Sequence, residues 1–139
     1  RFGEEKDLKE LVDLCHERNV KLILDLAINH TSSKHEWFVQ FKEARMNGDT
    51  ANEYYDYYTC VTTAEKAGGV QYQKIAGVDA WYECNFSGDM PELNFDNPKV
   101  REAMLEVAKH YLNLGANTTW LIPLSKAILA ISSPTFSAF

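Results

Sequence analysis

The feature that most constrains the fold is an amphipathic helix pattern followed at once by a short apolar run. Residues 5–18 carry apolar side chains at helical spacing, with charged residues between them. Residues 21–26, Lys-Leu-Ile-Leu-Asp-Leu, then predict a strand, and Asn19 between the two predicts a left-handed helix end. An apolar run directly after a helix is typical of a parallel strand that is buried on both faces. The pair therefore predicts half of a repeating α/β unit.

A second helix is predicted over residues 34–46. Ser33 and Glu36 form a capping-box pattern at its start, and Gly48 marks its end. Its aromatic side chains fall on one side of the helix, which predicts that this side is buried.

A third helix is predicted over residues 98–114, with Asn97 as N-cap, Pro98 at the first position and Gly115 after its end. Residues 48–97, between the second and third helices, show no regular alternation and are rich in Tyr, Gly, Asp and Asn. Such a stretch is too long for a simple connection, so it predicts an inserted subdomain whose aromatic residues form either its core or a sugar-stacking surface. The core is favoured. The order of elements predicts an α/β fold, a slice of a β/α barrel or of a doubly wound sheet.

Composition excludes several classes of function. The net charge of −6 leaves no basic excess to neutralise phosphates, which argues against binding to nucleic acid or to an anionic membrane surface. Three widely spaced cysteines without a CxxC pair argue against a zinc site or a disulfide framework. Near the end of the chain, Pro123 and Lys126 interrupt an apolar run that is too short to span a membrane. The start at Arg1 is expected of a segment of a longer protein, and the compartment stays open.

Three polar residues, Asp25, Asn29 and His30, lie at the carboxyl end of the predicted strand. In β/α barrels, polar groups at that end of a strand face the active site. A carboxylate, an amide and an imidazole at one rim fit a binding site, and they fit a capped strand end with a hydrogen-bonded histidine equally well.

Two motifs resemble the α-amylase family, glycoside hydrolase family 13. Residues 25–30, Asp-Leu-Ala-Ile-Asn-His, together with the apolar run before them, resemble the first signature region of that family. Residues 90–94, Met-Pro-Glu-Leu-Asn, resemble the short motif near the end of its domain B. The likeness covers about residues 1–116, and the two motifs stand in the family's order.

The resemblance implies a fragment of a TIM (β/α)8 barrel with an inserted domain B. Residues 1–30 would then be a barrel helix and strand three, and residues 31–97 the helix leading into domain B and domain B itself. Residues 98–115 would be the barrel helix before strand four, and residues 116–139 a divergent tail.

The same resemblance implies roles for the three polar residues. His30 corresponds to the family's sugar-binding histidine, and Asp25 to the aspartate that holds the active-site polar network in place. Asn29 corresponds to an asparagine that ligates a structural calcium in many members, and an amide oxygen suits calcium. The implied substrate is an α-glucan or malto-oligosaccharide, whose α-glucosidic bonds the intact parent would hydrolyse with retention. The motifs leave open the choices between α-1,4 and α-1,6 bonds and between hydrolase and transglycosylase.

The catalytic carboxylates of the family are expected to be missing from this chain. The family nucleophile is an aspartate that ends a motif shaped like Gly-Val-Asp-Gly-Phe-Arg-Leu-Asp. Aligned from Gly115, this chain has Trp120 at the arginine position and Ile122 at the nucleophile position. We therefore expect no catalytic residue here and an inactive isolated chain. One hypothesis is a change of reading frame after Gly115; the alternative is a non-catalytic relative, such as the amylase-like ectodomain of a transporter heavy chain.

Overall fold

The fold combines a pair of parallel strands, flanked by helices, with a small antiparallel sheet. The computed structural model describes residues 3–116 and the backbone of residues 118–121. Within residues 3–116, no helix is long and apolar enough to cross a bilayer. The elements follow in the order α1 (Glu5–Glu17), β1 (Ile23–Leu26), α2 (Glu36–Asn47), β2 (Cys60–Val61), a short 3-10 helix (Thr63–Glu65), β3 (Tyr72–Lys74), β4 (Trp81–Glu83), α3 (Pro98–Asn113) and β5 (Thr118–Leu121).

The strands β1 and β5 pair in parallel. Ile23 lies opposite Thr118, and Leu26 lies opposite Leu121. Parallel neighbours need a long crossover, and here it contains α2, the antiparallel sheet and α3. The predicted mixed α/β fold is confirmed. The described strands do not close into a barrel, and the assignment of residues 31–97 to domain B stays a prediction.

The prediction that β1 is buried on both faces is wrong. Its side chains alternate between exposed and half-buried, and Ile23 is 54% exposed. Leu24 and Leu26 line a cavity together with Leu8 of α1 and Tyr111 of α3, so the helices cover one face. The apolar sequence predicts the strand correctly, but burial of its second face requires a further layer that the described residues do not supply.

The helix α2 begins two residues later than predicted, because His35 caps it and Ser33 does not. Nδ1 of His35 accepts the backbone N–H of Trp37 at 3.2 Å. Ser33 instead donates its hydroxyl to Oδ1 of Asp89 at 3.0 Å, and its backbone N–H donates to the carbonyl of the same residue at 2.8 Å. A partner far along the chain has therefore replaced the local cap.

The predicted helix ends are confirmed, and each coincides with a positive φ. The angle is 55° at Asn19, 65° at Gly48 and 102° at Gly115, a region that asparagine and glycine adopt more easily than other residues. The start of α3 also agrees, since Pro98 is its first residue and the side chain of Asn97 accepts a backbone N–H of the first turn.

The main core lies between α2, the first turn of α3 and the antiparallel sheet. From α2 come Phe38 and Phe41, whose stacked rings have centroids 5.6 Å apart. Tyr58 and Tyr82 meet Phe38 edge-on at 5.0 and 4.8 Å, and Val100 of α3 is fully buried beside them. The aromatic residues of the insertion thus form mainly a core, which is the favoured of the two predictions.

The antiparallel sheet has the strand order β2-β4-β3. Tyr82 in its central strand lies opposite Cys60 and Gln73 and faces the core. Its neighbour Trp81 projects from the other face, where Nζ of Lys66 lies 3.7 Å from the ring centroid. Alternation along one strand therefore separates a core face from a solvent face.

Gly115 allows the end of α3 to approach α1 closely, and this contact yields the first prediction. A Cβ atom at Gly115 would lie 2.7 Å from Cγ1 of Val12, which is only 1% exposed. We expect Gly115→Ala to lower the free energy of unfolding by roughly 2–3 kcal/mol, from the strained φ and the contact together. Urea denaturation followed by circular dichroism measures the loss.

Gly69→Ala is the matched control. Gly69 also has a positive φ, 81°, but a Cβ atom there would meet nothing within 4 Å. This variant should lose only about 1 kcal/mol, because it carries the backbone strain alone. Equal losses in the two variants would show that the close approach at Val12 has no energetic weight.

Candidate functional site

The two motifs singled out in the sequence meet in the structure. The segment that follows β1 runs antiparallel to residues 89–93, and His30 lies directly opposite Glu92. Three backbone N–H groups donate across this pairing: Leu93 to the carbonyl of Asn29 (2.7 Å), Thr31 to that of Pro91 (3.3 Å) and Ser33 to that of Asp89 (2.8 Å). Segments far apart in the chain are thereby fixed in one register.

The pairing is anchored to the aromatic core. The hydroxyl groups of Thr31 and Tyr58 are hydrogen-bonded at 2.7 Å, and Tyr58 is 1% exposed and pairs with Leu93 through an antiparallel bridge. Burial raises the pKa of Tyr58 to about 12, so its hydroxyl stays protonated at any physiological pH. The segment carrying His30 is therefore held from both sides.

His30 is half-buried four residues after the end of β1. Its ring packs against Phe86, with centroids 5.2 Å apart and an interplanar angle of 58°, and Phe86 itself is 56% exposed. Burial lowers the pKa of His30 below 6.5, so the imidazole is mainly neutral at pH 7. A neutral imidazole offers one donor and one acceptor nitrogen. Nδ1 is buried and has no hydrogen-bond partner among the described residues.

Glu92 is a site residue that the sequence did not single out. It is 7% exposed, and its backbone carbonyl accepts the N–H of Thr59 at 3.0 Å. Burial and the nearby carboxylate of Glu83 raise the pKa of Glu92 to about 7, although the backbone N–H of Asn85 donates to its carboxyl group. The available signal was the position of this acid between Pro91 and Leu93 in an apolar context, which favours burial.

Asp25 stands apart from this group. It lies in β1 with an exposed side chain, and among the described residues that side chain makes no hydrogen bond or ion pair. The structure therefore brings His30 together with Phe86 and Glu92 and not with Asp25. The role of Asp25 in a polar network stays a prediction.

Asn29 is buried, 5% exposed, and its backbone carbonyl accepts the N–H of Leu93. Calcium takes about six to eight oxygen ligands, several of them carboxylates. Across residues 3–116, no group of three or more His, Cys, Asp or Glu side chains could hold a metal ion. These residues do not form a calcium site by themselves. Calcium at Asn29 stays a prediction.

The family model for the catalytic domain of alpha-amylase matches residues 1–126 of this chain. The chain belongs to the α-amylase family. The match runs past residue 116, where the resemblance in the sequence was expected to end, and β5 pairs with β1 within that extra stretch. The assignment of residues 116–139 to a divergent tail stays a prediction. Ile122, at the expected nucleophile position, lies outside the described residues.

Curated relatives of this α-amylase-family chain are enzymes of much greater length. Alpha-amylase 3 of Dictyoglomus thermophilum is 40% identical over 117 residues, which are 84% of this chain and 22% of that protein. Oligo-1,6-glucosidase of Bacillus cereus is 38% identical over 125 residues, 82% of this chain and 21% of that protein. The chain thus spans about a fifth of these relatives.

Solved structures agree with the family. Eubacterium rectale Amy13B superposes with a TM-score of 0.76 at 30% identity, over 86% of this chain and 24% of that one. Isomaltulose synthase from Klebsiella sp. LX3 superposes with a TM-score of 0.75 at 33% identity, over 86% of this chain and 22% of that one. Both proteins share the fold of this segment.

The buried carboxyl group of Glu92 should make stability fall as the pH rises. Its pKa in the folded state, about 7, lies above the ordinary 4.5, so between these values the folded state holds a proton that the unfolded state releases. This stabilisation is fully present below pH 4.5 and is lost as the pH rises through 7. Glu92→Gln should therefore raise the free energy of unfolding near pH 8 by roughly 1–3 kcal/mol and flatten its pH dependence.

Urea denaturation at several pH values between about 4 and 8 measures this effect. Glu10→Gln is the control, because Glu10 is an exposed acid on α1 and should leave the pH dependence as it is. The raised pKa of Glu92 would be contradicted if the free energy of unfolding of Glu92→Gln changed with pH as steeply as that of the unaltered chain.

Proposed function

We propose that this chain is part of a glycoside hydrolase that acts on α-glucans or malto-oligosaccharides, and that His30 binds the sugar. Membership of the α-amylase family supports this, as do the names of relatives such as Alpha-amylase 3 and Oligo-1,6-glucosidase. In the intact parent, the reaction would retain the anomeric configuration and would use two carboxyl groups about 5–5.5 Å apart.

The observation that carries this proposal is the surroundings of His30. The imidazole follows the carboxyl end of β1, is mainly neutral at pH 7 and packs against the exposed ring of Phe86. A sugar presents hydroxyl groups that hydrogen-bond to a neutral imidazole and apolar C–H faces that pack on an aromatic ring. Both complementary groups stand side by side here.

The isolated chain is proposed to be inactive, because Ile122 occupies the position of the nucleophile and has no group that could attack an anomeric carbon. This residue also favours the second candidate, a non-catalytic amylase-like protein such as a transporter heavy-chain ectodomain. Sugar binding discriminates the two, since a non-catalytic scaffold has no need of a sugar-binding imidazole.

The chain should bind short α-glucans weakly through His30. Titration with maltotriose and with isomaltose, followed by NMR of the imidazole and of the Phe86 ring, measures affinity for α-1,4 and α-1,6 linkages separately. We expect His30→Ala to weaken binding by roughly tenfold, as for loss of one polar contact and part of a packing surface.

The control for this titration is His35→Asn. This substitution removes an imidazole from the start of α2 and keeps a residue that caps helices well. Sugar affinity should stay the same. Failure of the unaltered chain to bind either sugar would reject the proposed role of His30 and would favour the non-catalytic reading.

The chain should release no product from 4-nitrophenyl α-glucoside. The retaining reaction needs a nucleophile and an acid/base group, and the alignment assigns neither to this chain. Absorbance of released nitrophenol measures turnover, with Oligo-1,6-glucosidase of Bacillus cereus assayed on the same substrate as the active reference. Turnover that co-purifies with the chain and disappears in Asp25→Asn would place a catalytic carboxylate within these residues.

A further inference from the structure

Two buried polar atoms of the site have no hydrogen-bond partner among the described residues. They are Nδ1 of His30 and Oε1 of Glu92. Buried polar atoms are nearly always paired, so two such atoms in neighbouring residues call for an explanation. One atom belongs to an imidazole and the other to a carboxyl group, which are complementary as donor and acceptor.

The backbone places these two residues face to face. His30 and Glu92 are partners in an antiparallel bridge. Such partners project to the same side of the pairing, with Cα atoms about 4.5–5.5 Å apart. The two side chains therefore lie on the same side of the pairing without a direct hydrogen bond between them, an arrangement that one bridging water molecule would complete.

The other contacts of Glu92 leave one oxygen for this purpose. The backbone N–H of Asn85 donates to its carboxyl group, and the side chain of Asn85 donates to Oε1 of Glu83 at 2.6 Å. Glu83 thus accepts a hydrogen bond from Asn85, whereas Oε1 of Glu92 has no partner within residues 3–116. Asp25, expected to hold the polar network, is exposed in β1 and has no such contact with any described residue. Of these three carboxyl groups, Glu92 alone combines burial, an unpaired oxygen and a position opposite the imidazole.

We propose that Glu92 is a positioning residue for His30: one water molecule accepts the Nδ1–H of the imidazole and donates to Oε1 of Glu92. This bridge selects the tautomer in which Nε2 carries the lone pair, and Nε2 then accepts a hydroxyl of the sugar. The oxygen can accept in either protonation state of the carboxyl group, so titration of Glu92 does not remove the acceptor. The contact between Nε2 and the sugar rests on the proposed function, whereas the link between His30 and Glu92 does not.

The tautomer of His30 tests the proposal directly. Long-range proton–nitrogen NMR of the 139-residue chain at about pH 8, where the imidazole is neutral, distinguishes an Nδ1–H from an Nε2–H ring. We expect Nδ1–H to predominate in the unaltered chain and in Glu92→Gln, whose amide oxygen still accepts. In Glu92→Leu, which removes the acceptor, the ratio of Nδ1–H to Nε2–H should fall by about fivefold.

Glu83→Gln is the matched control, because it removes the neighbouring charge and leaves Glu92 in place. Its tautomer ratio should equal that of the unaltered chain. If Glu92 had a purely structural role, Glu92→Leu would change the stability but leave the tautomer ratio of His30 unchanged. That result would overturn the proposal. An equal shift in both variants would overturn it too, since it would report charge and not a hydrogen bond.

If Glu92→Leu fails to fold, the spectrum of the unaltered chain tests the proposal. A predominant Nε2–H ring in His30 would reject it, and a slowly exchanging Nδ1 proton would support it. Titration of the same sample with maltotriose separates the two proposals. An Nδ1–H ring without sugar binding would reject the sugar-binding role and leave the positioning role intact.

Discussion

The backbone pairing of residues 29–33 with residues 89–93 is the constraint on which the site depends. Without it, His30 would sit on a free connection after a four-residue strand, and Glu92 would belong to a loop in the insertion. Each hydrogen bond across the pairing is of ordinary strength, but together they fix register, and register decides which side chains face each other. The position of His30 opposite Glu92 is therefore a consequence of backbone geometry.

The aromatic core of the insertion makes that register unique. Residues 93 and 94 pair with the segment around Tyr57 and Tyr58, which packs on α2, so a slip at the site would disturb buried rings. Arg45 ties the same segment to α2: its guanidinium lies 3.9 Å from the ring centroid of Tyr55 and donates to Asp56 at 2.6 Å. A partly buried arginine with both contacts holds its partner more firmly than an exposed ion pair would. The insertion thus supports the site mechanically as well as supplying Glu92.

The sequence predicted correctly those features that depend on residues close together in the chain. The helix ends at Asn19 and Gly115 and the start of α3 at Asn97 follow from backbone preferences of single residues, and the structure agrees with all three. The errors arose where a distant segment intervenes. Ser33 donates its hydroxyl to Asp89 and so does not cap the helix as predicted, and Glu92 becomes part of the site only because the insertion pairs with the segment that follows β1. The family resemblance supplied His30, but it carried no information about which acid would face its ring.

Burial explains the electrostatic character of the site with one cause. It lowers the pKa of His30 and raises that of Glu92, so near neutral pH both groups tend toward their uncharged forms. Such a site suits an uncharged ligand. A charged ligand would be buried beside groups that offer it no opposite charge. An anionic substrate would instead require arginine or lysine beside the imidazole, and the ring contact observed there is Phe86. The glucan proposed as ligand has a neutral, hydroxyl-rich surface, which would leave no buried charge unpaired in this environment.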